Sequence, residues 1–153
     1  MARLSDLPPA TVDTLRALEL PVFESTPWVR PPRLSDARIA IVTTAGLHLA
    51  TDEHFRAGSG AYRVIPGDVD PDDLVMTHAS VNFDRSGFQQ DVNVVFPLEH
   101  LRALQTEGVI GSQGTWHFSF MGATDPARMA ETGPEVGRLL KEDGVRAALL
   151  VPV

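Results

Sequence analysis

The chain lacks cysteine altogether, and this absence excludes several kinds of chemistry within its 153 residues. Without a thiol there is no disulfide, no thiolate zinc site and no cysteine nucleophile. Positive charge is scarce as well, because 13 Lys and Arg residues face 20 Asp and Glu residues and the net charge is -7. This balance gives no electrostatic reason to bind nucleic acid or an anionic membrane, so neither is expected as a partner.

Longer patterns are also missing. No apolar run is long enough to cross a bilayer, and residues 1–20 lack the pattern of a secretory signal, so we expect a cytoplasmic protein. The glycines form neither the G-x-G-x-x-G fingerprint nor a phosphate-binding loop. A Rossmann-type cofactor is therefore not expected.

The composition that remains is that of a folded protein, with 43% hydrophobic and 22% charged residues. Residues 1–36 predict an N-terminal helix followed by a proline-rich arm. The residues behind this prediction are the cap Thr11, the apolar face of Val12, Leu15 and Leu18, the helix-ending Pro21 and the arm's anchor Trp28.

Residues 37–153 predict an α/β domain. Strands are predicted at residues 37–43, 62–65, 72–78, 116–121 and 147–153, and helices at residues 96–108 and 134–142. This alternation indicates an open, mainly parallel, Rossmann-like sheet with flanking helices. The last strand follows a helix-ending glycine and is continuously apolar, so we expect it to be buried. In such folds ligands bind just beyond the carboxyl ends of the strands.

The densest polar group comprises His78, Asp84, Asp91 and Asn93. His78 would end a strand, and Asp84 or Asp91 could orient its imidazole for proton transfer, which makes these three the candidate catalytic residues. The alternative is that Asp84, Asp91 and Asn93 form turn and capping bonds in an irregular loop. Spacing alone leaves both interpretations open.

A second set of candidates would contact substrate: Gly46, His48, Asn93 and His117. Gly46 permits close backbone approach after the first strand, and His48 could meet His78 in the crevice. His117 lies among aromatic residues and also suits an interior position, whereas His54 and His100 look exposed. His48, His78 and Asp84 could hold a divalent metal, but no two histidines have the i,i+4 spacing, and no metal site is predicted.

Several stretches taken together resemble the selenoprotein B family of glycine, sarcosine, betaine and D-proline reductases, in its short single-domain branch. They are residues 42–49 (VTTAGLHL), 63–66 (RVIP), 78–84 (HASVNFD), 91–98 (DVNVVFPL), 108–111 (GVIG) and 118–122 (FSFMG). The resemblance covers roughly residues 28–153.

The resemblance implies reductive cleavage of a carbon–nitrogen bond, in which a selenol or thiol attacks the substrate carbon. It also implies a pyruvoyl-bearing partner subunit, transfer of the carbon fragment to selenoprotein A, and electrons from dithiols that become disulfides. His78 would then protonate the leaving amine or orient a carboxylate, with Asp84 holding its ring.

The resemblance places the nucleophile, a selenocysteine or cysteine, directly after a strand like residues 147–153. We therefore expect it just past Val153, and we expect the fold to lack a C-terminal portion. A final strand far from His48 and His78 would overturn this idea. Loss of the crossover helix that should follow would expose one face of this strand, so we expect the 153-residue chain to associate with itself or to be poorly soluble.

Two alternatives stay open. One is a binding or scaffold homologue that lost the nucleophile. The other is a metal-dependent hydrolase that uses His48, His78 and Asp84.

Overall fold

The computed structural model describes residues 3–17, 19, 22, 24, 29–80 and 84–153. It has a mixed α/β fold, which confirms the predicted class. The strands are β1 (Arg38–Thr43), β2 (Leu47–Leu49), β3 (Tyr62–Pro66), β4 (Leu74–Met76), β5 (Ser112–Gln113), β6 (Trp116–Phe120) and β7 (Ala147–Val151). The helices are α1 (Pro9–Arg16), α2 (Ser86–Gln90), α3 (Leu98–Thr106) and α4 (Thr132–Glu142).

The main sheet is built around β1. Strand β7 pairs with β1 along one edge, β5 and then β6 pair along the other, and all of these pairings are parallel. Strand β3 extends the sheet by antiparallel pairing with β6. Because β1, β6 and β7 run the same way, their carboxyl ends meet at one edge of the sheet.

The two faces of this sheet are covered by different helices. Ile39 and Ile41 of β1 belong to a core that includes Leu98 and Leu101 of α3. On the other face, Phe118 packs in a cluster with Val136 and other side chains of α4. Burying each large aliphatic or aromatic side chain contributes about 1.5–3 kcal/mol, so these two layers hold the sheet between them.

Glycines end both of the longer helices, as the sequence predicted. Gly108 follows α3 with φ +72°, and Gly144 follows α4 with φ +73°. After α3, the Gly108 and Val109 N–H groups donate to the carbonyls of Gln105 and Leu104, which is the Schellman arrangement. The left-handed conformation turns the chain sharply, and after α4 this turn leads into β7.

Strand β7 is present, but the prediction that it is buried is wrong. Leu149 is 42% exposed and Leu150 is 69% exposed. Leu150 lies opposite Val42 and shares the face of the sheet that α4 covers, yet the apolar side chains of α4 pack on β6. Strand β7 therefore forms an edge of the sheet with uncovered apolar side chains.

The remaining differences are local. The predicted strand at residues 72–78 is reduced to β4, which pairs with β2 in a separate antiparallel ribbon. Thr11 lies inside α1 and does not cap it, because α1 begins at Pro9 after the N-cap residue Pro8. No residue of α1 is buried.

The predictions for Leu18, Pro21 and Trp28 lie outside the described residues. Within the described part of the chain, no helix is both long and apolar enough to cross a membrane.

Candidate functional site at the carboxyl ends of β1, β6 and β7

The end of β7 is fastened to the residue that follows β1. The Thr44 N–H donates to the Val151 carbonyl at 3.1 Å. The Thr44 hydroxyl accepts from the Val153 N–H at 2.9 Å and donates to the Val153 carbonyl at 3.3 Å. Three hydrogen bonds thus fix the backbone from Val151 to Val153 against β1.

Gly122, just after β6, allows the His78 ring and the backbone of Thr44 and Val153 to approach closely. A Cβ atom at this position would overlap the Nε2 atom of His78, and it would lie 2.7 Å from the carbonyl oxygens of both Thr44 and Val153. Two of these neighbours are backbone atoms that cannot rotate away. We call Thr44, His78, Gly122 and Val153 the His78 rim.

His78 is only 3% exposed. The Ser80 N–H donates to Nδ1 at 3.2 Å, which leaves the proton of the neutral ring on Nε2. Burial lowers the pKa of His78 below its ordinary value, the positive charge of Arg85 lowers it further, and a hydrogen bond with the Val153 backbone opposes both. The ring is therefore neutral at pH 7 and lies beside Val153.

Arg85 was missed by the sequence analysis. Its side chain donates a hydrogen bond to the backbone carbonyl of His78, while the residue itself remains exposed. A backbone acceptor leaves no mark in a sequence. The available signal was that Arg85 is the only Lys or Arg in residues 78–93.

The acidic candidates act as turn and capping residues. Asp84 accepts from the Ser86 N–H at 2.9 Å, and Asp91 accepts from the Asn93 N–H at 2.8 Å. These bonds to backbone N–H groups lower the pKa values of both carboxyls. Asp84 and Asp91 are exposed, and their bonds are those of the turn-and-cap alternative. Their catalytic roles stay predictions.

Asn93 caps the start of α3 through Glu99. Its Oδ1 accepts from the Glu99 N–H at 3.2 Å, and its Nδ2 donates to the Glu99 carboxylate at 2.8 Å. These bonds order the chain between α2 and α3. The predicted contact of Asn93 with substrate stays a prediction.

Gly46 brings the chain after β1 close to His78. It adopts φ +68°, and a Cβ atom there would lie 3.2 Å from the backbone nitrogen of His78. His48 is fully buried, and its ring lies 5.0 Å from that of the exposed His54 and 6.2 Å from that of Phe55. The structure thus brings Gly46 to the His78 rim, whereas His48 packs with His54 and Phe55.

His117 occupies the sheet interior, which was one of its two predicted positions. It is fully buried, and its Nδ1 accepts from the Ile41 N–H at 2.9 Å where the ladder passes from β5 to β6. Burial lowers the pKa of His117 to about 4. The ring therefore replaces a missing backbone acceptor, and its role as a substrate contact stays a prediction.

A cavity of about 420 Å³ lies at the opposite end of the sheet. It is lined by Val64, Trp116, Phe118, Leu139, Glu142 and Asp143. Its two carboxylates are already bonded, Asp143 to Arg38 at 2.9 Å and Glu142 to Arg138 at 2.7 Å. This cavity therefore offers apolar walls and paired charges, away from the carboxyl ends of the strands.

A metal centre also finds no support in the described residues, among which no three His, Asp or Glu side chains are placed to hold an ion together. The hydrolase alternative required such a group. His48 instead packs with His54 and Phe55, and His78 lies beside Gly122.

Comparison with known proteins identifies relatives with a defined chemistry. The chain is 39% identical over 120 residues to the D-proline reductase subunit gamma of Acetoanaerobium sticklandii, an alignment that covers 76% of this chain and 49% of the relative. It is 31% identical over 140 residues to the sarcosine reductase complex component B subunit beta of Peptoclostridium acidaminophilum, covering 86% of this chain and 31% of the relative.

The chain thus spans about half the length of the first of these curated relatives and about a third of the second. No solved structure gives a significant match. The family of glycine/sarcosine/betaine reductase selenoprotein B (GRDB) matches residues 13–153, which is nearly the whole chain. The chain therefore belongs to the glycine/sarcosine/betaine reductase selenoprotein B family.

Proposed function

We propose that this chain is part of a reductase subunit that cleaves the carbon–nitrogen bond of glycine, sarcosine, betaine, D-proline or a similar compound. Family membership and the identity to subunits of D-proline and sarcosine reductases support this reaction class. The structural observation that carries the proposal is the meeting of Val153 with His78, Thr44 and Gly122 at the carboxyl ends of three parallel strands.

We place the nucleophile, a selenol or thiol, just past Val153. In open α/β sheets, ligands and reactive groups lie just beyond the carboxyl ends of the parallel strands, and Val153 is at that edge here. Thr44 fixes the backbone at this point, and the missing side chain of Gly122 lets the Val153 carbonyl and the His78 ring come close together, so a group following Val153 would start beside the His78 ring. When present, this group would attack the substrate carbon and displace the amine, which forms a carbon–selenium or carbon–sulfur bond. A dithiol would then cleave that bond and become a disulfide, which regenerates the nucleophile and completes the net exchange of C–N for C–H.

His78 is the proposed hydrogen-bond donor to the departing amine. Its lowered pKa keeps the ring neutral, and the Ser80 bond to Nδ1 fixes the proton on Nε2, the side that contacts the rim. The Nε2–H of the neutral ring can donate a hydrogen bond to the nitrogen of the departing amine, and the amine takes its proton from solvent, because a neutral imidazole is too weak an acid to give up its own. Asp84 and Asp91 have no chemical role in this proposal. Their hydrogen bonds to backbone N–H groups stabilise the turns that follow His78.

The proposal includes partners outside this chain. A pyruvoyl-bearing subunit and selenoprotein A are the ones that the family resemblance implies. The relatives carry names such as component B subunit beta of a sarcosine reductase complex, which supports assembly from several subunits. No residue of this chain is assigned to bind either partner.

Peptide mapping after alkylation tests the position of the nucleophile. Protein made from the natural gene in its own reading frame is reduced and treated with iodoacetamide near pH 7. Because residues 1–153 contain no cysteine, a thiol or selenol adduct must lie outside them. Trypsin cleaves after Arg146, so we expect the adduct on the peptide that begins at Ala147, with parallel loss of amine release.

An unmodified peptide, or one that ends at Val153, would contradict the proposed position. Retained amine release after complete alkylation would contradict the proposed chemistry. With neither a nucleophile nor turnover, the chain would be the binding or scaffold homologue that was the alternative.

A further inference from the structure

Arg85 carries a positive charge beside the His78 rim and forms no ion pair with the residues that the structure describes. Its guanidinium donates to the His78 carbonyl, and its charge acts on the His78 ring. Arg38, Arg56 and Arg138 form the ion pairs of the described residues, and Arg85 forms none there. The neighbouring Asp84 instead turns its carboxylate to the Ser86 N–H.

Other arginines of this acidic chain, whose net charge is -7, also lack an ion pair among the described residues, but Arg85 is held beside His78 by its hydrogen bond to the His78 carbonyl. Arginine has five N–H donors in a planar fork, and a single bond to a carbonyl leaves the others available. The fork matches the two oxygens of a carboxylate, which it binds through two parallel charge-assisted hydrogen bonds. Exposure of Arg85 lets such a ligand reach it from solvent.

From this placement we propose that Arg85 binds the carboxylate of the substrate. This inference rests on the proposed function. The Arg85 side chain donates to the His78 carbonyl, and its charge reaches the His78 ring, so a carboxylate bound by Arg85 would lie near His78.

Binding can be measured without turnover. The probes are glycine, sarcosine, betaine and D-proline, each compared with the amide that lacks the free carboxylate, and inorganic phosphate serves as a control anion. The readout is the NMR signal of the arginine side-chain N–H groups in ¹⁵N-labelled protein. We expect the acids to shift the Arg85 signal saturably and the amides to leave it in place, with phosphate shifting it only at higher concentrations than the acids.

The variants are Arg85→Gln, Arg85→Lys and the matched control Arg146→Gln. Arg146 is also exposed but precedes β7, at the opposite end of that strand from Val153. Loss of a bidentate charged pair should raise the dissociation constant roughly 10- to 100-fold in Arg85→Gln. Arg85→Lys should recover part of the affinity, and Arg146→Gln should bind as the wild type does.

The outcomes separate this inference from the proposed function. Unchanged affinity in Arg85→Gln at an unchanged unfolding temperature, equal binding of the amides, or no binding of any acid by the wild type would overturn the inference. Arg85-dependent binding without amine release by the assembled complex would overturn the proposed function alone. Amine release with an unchanged KM in Arg85→Gln would support the proposed function but contradict the role of Arg85 in binding the carboxylate.

Discussion

Thr44 and Val153 are joined by two hydrogen bonds through one hydroxyl, at 2.9 Å to the Val153 N–H and at 3.3 Å to its carbonyl. The residues are separated by more than a hundred positions in the sequence, yet this pair sets the position of the end of β7 relative to β1. The backbone position from which any following group extends is therefore fixed by Thr44.

Replacing this hydroxyl should loosen the end of β7. Thr44→Val keeps the shape of the side chain but leaves the Val153 N–H without its acceptor, so we expect the free energy of unfolding to fall by about 1 kcal/mol. Thr44→Ser keeps the hydroxyl and serves as the control. Urea denaturation measures the difference. Equal loss in both variants would mean that the methyl group, rather than the hydroxyl, stabilises this contact.

Gly122→Ala should be destabilising despite its small size. The added Cβ atom would overlap the His78 ring and lie 2.7 Å from the carbonyl oxygens of Thr44 and Val153. Forcing a methyl group into such a space typically costs about 1–3 kcal/mol, and here it should also displace His78. Urea denaturation and the NMR signals of the His78 ring report the two effects.

The matched control is Gly137→Ala, which lies within α4, where a Cβ atom meets nothing within 4 Å. Alanine is favoured over glycine inside a helix, so this variant should gain roughly 0.5–1 kcal/mol. The same chemical change should therefore have opposite signs at the two positions. A neutral effect at Gly122 would show that the rim can rearrange to admit a side chain.

Much of the sheet and its helices could be predicted because their signals are local. Strand β1 is a short apolar run, and Gly108 and Gly144 mark the ends of α3 and α4 by their conformational freedom. The pairing of β2 with β4 in a separate ribbon could not be predicted, since each strand has only three residues and forms through pairing with the other. Burial of β7 was wrongly predicted because an apolar run does not show what covers it.

The candidate site was predictable only in part, for related reasons. His78 was found because it follows a strand. Asp84 and Asp91 remained ambiguous because the residue types that serve as catalytic acids also cap turns. The contact of Arg85 with the His78 carbonyl depends on a backbone atom, and the role of Gly122 depends on neighbours distant in sequence.

The exposed edge at β7 should cause self-association of the 153-residue chain. Leu150 is 69% exposed on a strand whose outer edge has no partner in the described residues. Leu150→Lys should suppress association, because a charged lysine on an edge strand opposes pairing with another copy. Light scattering over a range of concentrations measures the mass.

Val94→Lys is the control, because Val94 is 61% exposed but lies in the short turn Val92–Val94 rather than on a strand. It introduces the same charge, so a general effect of charge on solubility would act equally in both variants. A wild-type chain that stays monomeric at high concentration would refute this prediction.

His117 should make the fold sensitive to acid between pH 6.5 and about 4. Its pKa is lowered from 6.5 to about 4 by burial, so in this range the unfolded chain binds a proton that the folded chain does not. The contribution of neutral His117 to the free energy of unfolding is therefore fully present above pH 6.5. It is lost as the pH decreases towards 4, by up to roughly 3 kcal/mol. Protonation would also put a hydrogen on Nδ1, where the Ile41 N–H now donates.

The variant that isolates this effect is His117→Asn, whose amide oxygen can accept from the Ile41 N–H but does not titrate. It loses part of the ring packing against Phe96, which lies 5.6 Å away, and should therefore be less stable than the wild type at pH 7. Its free energy of unfolding should nevertheless change less between pH 7 and pH 4.5, because the buried imidazole is gone. Urea denaturation of both proteins at these two pH values measures the difference in slope, and equal slopes would assign the acid sensitivity to other groups.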